Sequence, residues 1–492
     1  MMILQSGFDF EFIDPNNSVD EKDKMNLFKQ LVKDGLSPTD IEVRTSSSNS
    51  NQIIFPSALV YYKDKKRAVN FLKNSITKQA GENINSSVEN LEFEFVAAIH
   101  QMLKTNISKI AFLDGNGELT KDEVYDLTKS VLQDNNSLSY YYQVEHFNIK
   151  EFEIDSNTMD ADISRQIAKM ELYKAIIIAK PTIPFNNLDK FLIDQYIMGG
   201  GKILWLIDGV NASMDSLQTE NSFIALKNDL NLDDQLFKYG VRINSNLIED
   251  LRSSEIPIVT GYSNNIPQQS YFSWPYYPLL FSETNHPISK GLDAIKCDFV
   301  SSIDTIKNTI KKTILLTSSK QSRLNPTPAK ISLGILQNSP PIQSYNKPYL
   351  PIALLLEGEF ESVFRNRILP KQQQSLAFRE KSMATQMIVV SDGDIARNSI
   401  SGNGDIFPLG YDRFIKYTYQ GNKKFIMNAV HYLCDDIGIT KLKSKEIKLR
   451  LLDKEKIANN RLLIMLINIV LPLLLLFSFT LVFVQFKKKK YA

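Results

Sequence analysis

The sequence predicts an α/β protein, a doubly wound parallel sheet followed by one C-terminal transmembrane helix. Three observations predict it. Short all-apolar runs at 109–113 (KIAFL), 175–179 (AIIIA) and 203–207 (ILWLI) alternate with helical stretches. A strand that is apolar on both faces belongs inside a sheet covered on both sides. These runs end at Asp114, Lys180 and Asp208, and the carboxyl ends of such strands are where ligands usually sit. Finally, residues 462–486 contain no charge over 25 positions. That is about 37 Å of helix, enough to cross a hydrocarbon core of about 30 Å.

Taken in order, the chain opens with FDFEFID at 8–14, where Phe8, Phe10 and Phe12 alternate with polar residues as in a strand. Residues 25–32 read as helix and 53–62 as strands. Residues 86–103 read as a helix capped by Ser86 or Ser87. The α/β rhythm follows: strand 109–113, helix 119–132, strand 140–149, helix 163–170, strand 175–179, helix 188–198 closed by three glycines, and strand 203–207. Beyond 240 the rhythm loosens. Strands recur at 313–316, 352–356 and 387–390, and 422–434 is an amphipathic helix. The proline-rich stretch 325–351 reads as a long exposed loop.

Composition narrows the classes. The chain has 492 residues, 43% hydrophobic and 23% charged, which fits two or three ordinary globular units. It excludes wholesale disorder and a polytopic transporter. The net charge of +2 excludes a strongly basic nucleic-acid binder. That total hides a division. Residues 441–461 hold eight Lys/Arg and three acids, and Lys487 to Lys490 add four charges, so residues 1–440 carry −7. Two cysteines, Cys297 and Cys434, are too few for a disulfide framework; they read as small buried residues, with one bridge between them left open. The four histidines show no helical metal-ligand spacing.

Several motifs are tested and set aside. Asp114-Gly115-Asn116-Gly117-Glu118 superficially matches a calcium loop, but Leu119 and Tyr125 stand where glycine and glutamate are needed. The same glycines match a dinucleotide fingerprint until Thr120 replaces its third glycine. The plain reading is a strand-to-helix turn in which Asn116 or Thr120 caps the helix. The sequence carries no G-x-x-x-x-G-K-[ST] loop and no G-x-S-x-G elbow. His286 sits in a loop before a proline and reads as structural. Asp392 and Asp394 at a strand end read as solvated turn carboxylates, with a ligand role as the alternative. Glu357, Glu359, Arg365 and Arg367 read as a surface ion-pair network on turns. No cofactor is expected.

The apolar segment places the chain in a membrane, but charge alone leaves its orientation tied. Lys487 to Lys490 follow it, and the basic run 441–461 precedes it. The first residues have neither a basic n-region nor an apolar core, so they do not form an export signal.

Several stretches in combination resemble one family, the GldG-type auxiliary subunit of the gliding-motility ABC transporter of Bacteroidetes. They are IAFLDGNGEL (110–119), ILWLIDGVNASMDSL (203–217), NHPISKGL (285–292), PIALLLEGEFESVFRNRI (351–368), MIVVSDGDIARN (387–398) and PLGYD (408–412), together with 421–452 and the terminal helix. One departure is Asn116, where the family usually has histidine. The resemblance implies a Rossmann-like domain similar to class I glutamine amidotransferases, without established catalysis. It implies an inner-membrane protein with a periplasmic body and Lys487 to Lys490 inside. It also implies an ABC permease subunit and an ATPase subunit as partners. Family members carry an N-terminal transmembrane helix and a fuller first lobe, so the expectation is that this chain lacks its front end.

The expected organisation is an N-terminal α/β lobe at 1–105, a Rossmann-like auxiliary domain at 106–440, a basic juxtamembrane segment at 441–461, the transmembrane helix at 462–486 and a short tail at 487–492. The expected function is a non-catalytic, membrane-anchored transporter subunit. Its strand-end face, with Asp114, Gly115, Asn116, Gly117, Glu118, Asp208 and Asp392, would bind a ligand or envelope partner. Asn468, Pro472 and Ser478 would pack against the permease, because polar residues in lipid usually face protein. Two alternatives stay open: an envelope hydrolase or amidase using Asp114, Asp208 and Asp392, and a cytoplasmic tail-anchored scaffold.

Overall fold

The computed structural model describes residues 9–17, 20–44, 49–72, 80–103, 107–132, 136–154, 162–219, 222–282, 284–367, 378–435, 438–444, 457 and 459–491. Most of the basic run 441–461 therefore lies outside the described residues.

In chain order the elements begin with α1 (Glu21–Lys33), β1 (Thr39–Arg44), β2 (Asn49–Ile54), β3 (Ser57–Tyr62), β4 (Lys65–Asn70) and α2 (Ala80–Leu103). There follow β5 (Lys109–Asp114), α3 (Tyr125–Lys129), α4 (Leu138–Tyr141), β6 (Gln143–Asn148), α5 (Ile163–Met170), β7 (Ala175–Ala179), α6 (Asn187–Met198) and β8 (Ile203–Leu206). A strand-rich stretch comes next: β9 (Val210–Asn211), α7 (Ser216–Thr219), β10 (Ser222–Lys227), α8 (Asp233–Tyr239), β11 (Val241–Ile243), β12 (Asn246–Asp250), β13 (Ser253–Ser263), β14 (Ile266–Leu280), β15 (Ile295–Lys296) and β16 (Ile303–Thr305). The remainder comprises β17 (Lys311–Thr317), β18 (Ser322–Pro326), β19 (Ala329–Ser332), β20 (Pro351–Glu361), β21 (Lys381–Val390), β22 (Tyr411–Asp412), β23 (Tyr417–Thr418), α9 (Gln420–Cys434) and α10 (Arg461–Tyr491).

The centre is a seven-stranded, mostly parallel sheet in the order β17-β20-β21-β8-β7-β5-β6. The run from β21 to β6 is parallel, and β20 and β17 add an antiparallel edge. The inner strands β7 and β8 are buried at every position, as their unbroken apolar runs require. Alternate side chains then feed two cores. Ile110, Phe112, Ile177, Leu204 and Ile388 pack with Phe425, Ala429 and Val430 of α9 on one face. Ala111, Ile176, Ile178, Trp205 and Val389 pack with Phe191 and Tyr196 of α6 and Leu236 of α8 on the other. A third core, around Trp274, Tyr276 and Phe299, belongs to the strand-rich stretch.

Several local expectations are corrected. Residues 9–14 form no strand, and Phe10 and Phe12 are 83% and 93% exposed; alternation alone makes no strand without a partner to pair with. The helix expected at 86 starts at Ala80, so Ser87 is interior and its hydroxyl donates back to Asn83 O at 2.7 Å. The helix expected over 119–132 shrinks to α3. Its end is set by Asp126, which accepts from Val131 N at 2.8 Å, while Ser130 takes a left-handed φ of 65°. Thr120 caps a turn instead, exchanging bonds with Glu123. Tyr140 and Tyr141 are helical, and the following strand starts at Gln143. The long loop expected at 325–351 instead contributes to β18 and contains β19, which pair with β12 and β10. Those partners lie some 80 to 110 residues earlier, beyond the reach of any local pattern.

The charged pair of turns also differs in place. Glu357, Glu359 and Glu361 stand on β20, with Lys311, Lys381 and Lys238 as their ion-pair partners. Arg365 pairs with Glu361 and Glu380, and Arg367 with Asp234. Cys297 and Cys434 are both buried, and no bridge joins them.

Helix α10 stands apart from the cores. It contains the whole apolar segment, its residues 461–487 are long and apolar enough to cross a membrane, and none of its most apolar window is buried in the body.

Candidate functional site

The carboxyl ends of the central strands bring the expected residues to one edge, in two neighbouring groups. The first lies over β5 and β6. Gly115 and Gly117 adopt φ of +125° and +73°, turning the chain sharply after Asp114. A side chain at 117 would have its Cβ 2.2 Å from Thr182 Oγ1, so glycine is required there by conformation and by space. Asn116 points inward and is fully buried; its amide donates to Pro184 O at 3.2 Å and to Asp189 Oδ2 at 3.4 Å. Its main-chain carbonyl oxygen accepts from Thr182 N and Ile183 N at 3.0 and 2.9 Å, clamping this loop to the one after β7.

Glu118 folds back on the turn, and its Oε2 accepts from Asn116 N at 2.6 Å. Burial, with Asp114 nearby, raises its carboxyl to about 7, against the opposing pull of backbone N–H donors and Lys150. Asp114 lies 3.1 Å through both carboxylate oxygens from His146 Nδ1. The His146 ring stacks on Phe112 at 5.5 Å.

The second group lies over β7, β8 and β21. Lys180 takes a left-handed φ of 52°, uncommon for a side chain of its size. Its ammonium donates to Asp208 Oδ2 at 2.8 Å and to Asp394 Oδ2. Burial pulls the Lys180 pKa down, but the two carboxylates outweigh it and hold the ammonium above its ordinary value. Gly393 makes the approach feasible, since a Cβ there would fall 2.6 Å from Lys180 Cβ. Its N–H donates to Asp208 Oδ1 at 2.5 Å.

Asp392 is fully buried, which corrects the expectation of a solvated turn carboxylate. It accepts from Asp394 N at 2.8 Å and from Asp298 N at 3.1 Å. Burial and the crowding of Asp208, Asp394 and Asp298 push its carboxyl well above the usual range. Asp394 is also inside the network, with its side chain 18% exposed. Behind it, Lys296 pairs with Asp298 at 2.7 Å and lies 3.8 Å from Asp412.

Carboxylate oxygens of Asp208, Asp392 and Asp394 lie within 4.8 Å of one another, a spacing compatible with a bound cation. The cation bonded to two of them is the Lys180 ammonium. A metal would have to displace it, so the donor set is better suited to holding three loops together. The chemistry this edge retains is proton exchange near neutrality at Glu118 and a partly open Lys180–Asp208–Asp394 patch.

The structure thus gathers Asp114 to Glu118 in one group and Asp208 with Asp392 in the other. Sequence reading noted Lys180 only as a strand end and kept a ligand role for Asp394 as the alternative. It missed His146, Lys296 and Asp298. His146 has no local signal, because it meets Phe112 and Asp114 only through the parallel register of β5 and β6. Lys296 and Asp298 flank buried Cys297, a local pattern that carries no signal of their ion pair. The other expected residues sit on α10. Asn468 and Pro472 are within it, and the Ser478 hydroxyl donates to Leu475 O of its own helix at 2.9 Å.

Residues 108–429, about two thirds of the chain, match a family model described as an ABC-type uncharacterized transport system, and its members are auxiliary components. The chain belongs to that family. The match spans the seven-stranded sheet, both strand-end groups and most of α9, so the edge described above is part of this auxiliary component's family domain. No curated protein matches the sequence. Among solved structures the chain is similar to the "mmIFT52 N-terminal domain", at 14% identity and a TM-score of 0.35, covering 67% of this chain and 99% of that one. A likeness at that score does not establish a shared fold.

Proposed function

We propose that this auxiliary component is a non-catalytic, membrane-anchored subunit of an ABC transporter associated with gliding motility. Helix α10 sits in the inner membrane, the body is periplasmic, and Lys487 to Lys490 face the cytoplasm. The body is a Rossmann-like domain, similar to class I glutamine amidotransferases, preceded by an N-terminal lobe within residues 1–105. Its partners are the permease and ATPase subunits. Asn468, Pro472 and Ser478 lie on the helix that packs against the permease, and the strand-end face receives a ligand or envelope partner.

The observation that carries this reading is the family match over 108–429 in a chain whose apolar helix α10 is left out of every core among the described residues. The non-catalytic part is supported by the strand-end carboxylates. Asp208 and Asp392 are engaged by Lys180 and backbone N–H groups rather than aimed at a free reacting centre. Detergent extraction followed by co-purification tests the reading. Recovery of a permease and an ATPase with the full chain is the expected result, and recovery of neither removes it. External protease added to spheroplasts should digest the body; a protected body contradicts the topology.

A second reading has one observation in its favour. Glu118 titrates at about 7 beside Asp114, as a general acid or base of an envelope hydrolase would. It requires Glu118→Gln to abolish function while leaving complex assembly intact.

A further inference from the structure

The body holds a cleft of about 610 Å³ between β4 and α2 on one side and α4 and α9 on the other, away from the strand-end edge. Four consecutive residues of β4 line it: Arg67, Ala68, Val69 and Asn70. Side chains alternate across a strand, so a cavity that touches four in a row runs along the strand's edge rather than over one face.

That edge is open to pairing. β4 is bonded to β3 alone among the described strands. Phe71 N donates to Pro56 O at 2.9 Å, which fixes the alternation of the ladder. Residues 67, 69 and 71 direct their backbone groups to β3, and Ala68 directs its N–H and C=O away from β3. An edge strand with room beside it is a template for another strand.

The lining describes what would fit. Among the described lining residues, Arg67, Lys290 and Lys424 are balanced in number by Glu94, Asp293 and Asp435, so this lining favours neither sign of charge. The wall opposite β4 includes the Tyr140–Tyr142 run, and the Arg67 guanidinium lies 3.8 Å from the Tyr140 ring centroid. Numerically balanced charges, aromatic rings and an open backbone edge suit an uncharged extended peptide, held by main-chain bonds and read by side chains of the lining.

We propose that the cleft receives an extended, uncharged peptide segment of a partner protein as a third strand on β4. The four residues of β4 that line the cleft span about 13 Å, which sets the stretch paired there at roughly four residues. Ile439 and Thr440 also line the cleft, and α2 packs against their turn. The bound segment therefore lies beside the turn from which the chain continues toward α10. The proposal stands independently of the transport reading.

The test uses the full chain in detergent and a set of fluorescent, end-blocked hexapeptides built from Thr, Val, Ser, Asn and Gln, with charged hexapeptides and maltotriose as comparison probes. Saturable binding of uncharged members is expected. N-methylation at one alternate set of backbone positions should weaken a binder about tenfold, the effect of one to two lost hydrogen bonds, while methylation of the intervening positions should have little effect. Ala68→Pro, which deletes the outward donor at an edge where proline is tolerated, should weaken the same peptide comparably without shifting the melting midpoint. The methylation arm uses unaltered protein and so remains decisive if the variant folds poorly. Absence of peptide binding, preference for charged peptides or maltotriose, or indifference to the methylated positions overturns the proposal.

Discussion

Lys180 Nζ donates to Asp208 Oδ2 at 2.8 Å across the ends of two adjacent parallel strands. Lys180 closes β7, Asp208 follows β8, and Asp394, the other acceptor, follows β21. One ammonium thus ties its own loop to two others whose carboxylates would otherwise repel each other. Its side chain is 17% exposed and that of Asp208 is 14% exposed, so water screens the pair only in part.

Lys180→Met should therefore be costly. Removing one partner of a buried ion pair leaves the other charges uncompensated, at about 3–5 kcal/mol. Asp208 already has a raised pKa, from burial and from Asp394, partly offset by Lys180. Without the lysine it rises further, so the folded variant gains protons. A raised carboxyl pKa gives stability that is present at low pH and is lost as pH climbs through the folded value. The deficit against wild type should be largest at pH 8 and should shrink toward pH 5, as read by urea midpoints at both. An equal deficit at both pH values would mean that packing, not charge, carries the effect.

Glu118→Gln should stabilise the protein above neutrality. The folded carboxyl titrates at about 7 against an ordinary 4.5. Between those values the native state holds a proton that the unfolded chain has released, so stability falls as pH rises through that window. The amide keeps an acceptor for Asn116 N but cannot ionise. The gain should be about 1–3 kcal/mol at pH 8 and near zero at pH 4, and the melting midpoint should depend less on pH between 4.5 and 7. An unchanged pH profile would place the Glu118 pKa near its ordinary value.

Gly117→Ala should separate the two reasons for glycine at that turn. The φ of +73° and the 2.2 Å approach to Thr182 Oγ1 both oppose a side chain, for a combined cost of about 2–4 kcal/mol. Adding Thr182→Ala removes the obstructing hydroxyl but not the strain. The double variant should recover part of the loss, with about 1 kcal/mol remaining, measured by chemical denaturation.

Much of this architecture was legible in the sequence. The inner strands were, because burial on both faces leaves unbroken runs such as Ala175 to Ala179 that no exposed element could tolerate. Asp114 and Asp208 were legible as strand ends for the same reason. What escaped depends on distant chain. The pairing of β18 with β12 and of β19 with β10 brings together segments that carry no mutual local signal. The burial of Asp392 was hidden because an Asp-Gly-Asp turn looks the same whether water or Lys180 lies beside it. His146 was hidden because its partner Asp114 is 32 residues away and reaches it through parallel register.

The terminal helix gives the last prediction. Residues 461–487 are long and apolar enough to cross a membrane, with none of their most apolar window buried in the body. A helix that adds nothing to any core should contribute to location and not to folding. The full chain should stay in the membrane pellet after alkaline carbonate extraction, because 25 uncharged residues in hydrocarbon are not released by charge reversal. A chain ending at residue 444 should appear in the soluble fraction with the circular dichroism of the intact body. Its unfolding free energy should stay within about 0.5 kcal/mol of the full chain's, as for changes that touch no core contact. Retention of the shortened chain in the pellet would reveal a second membrane contact on the body, and loss of its fold would show that α10 packs against the body.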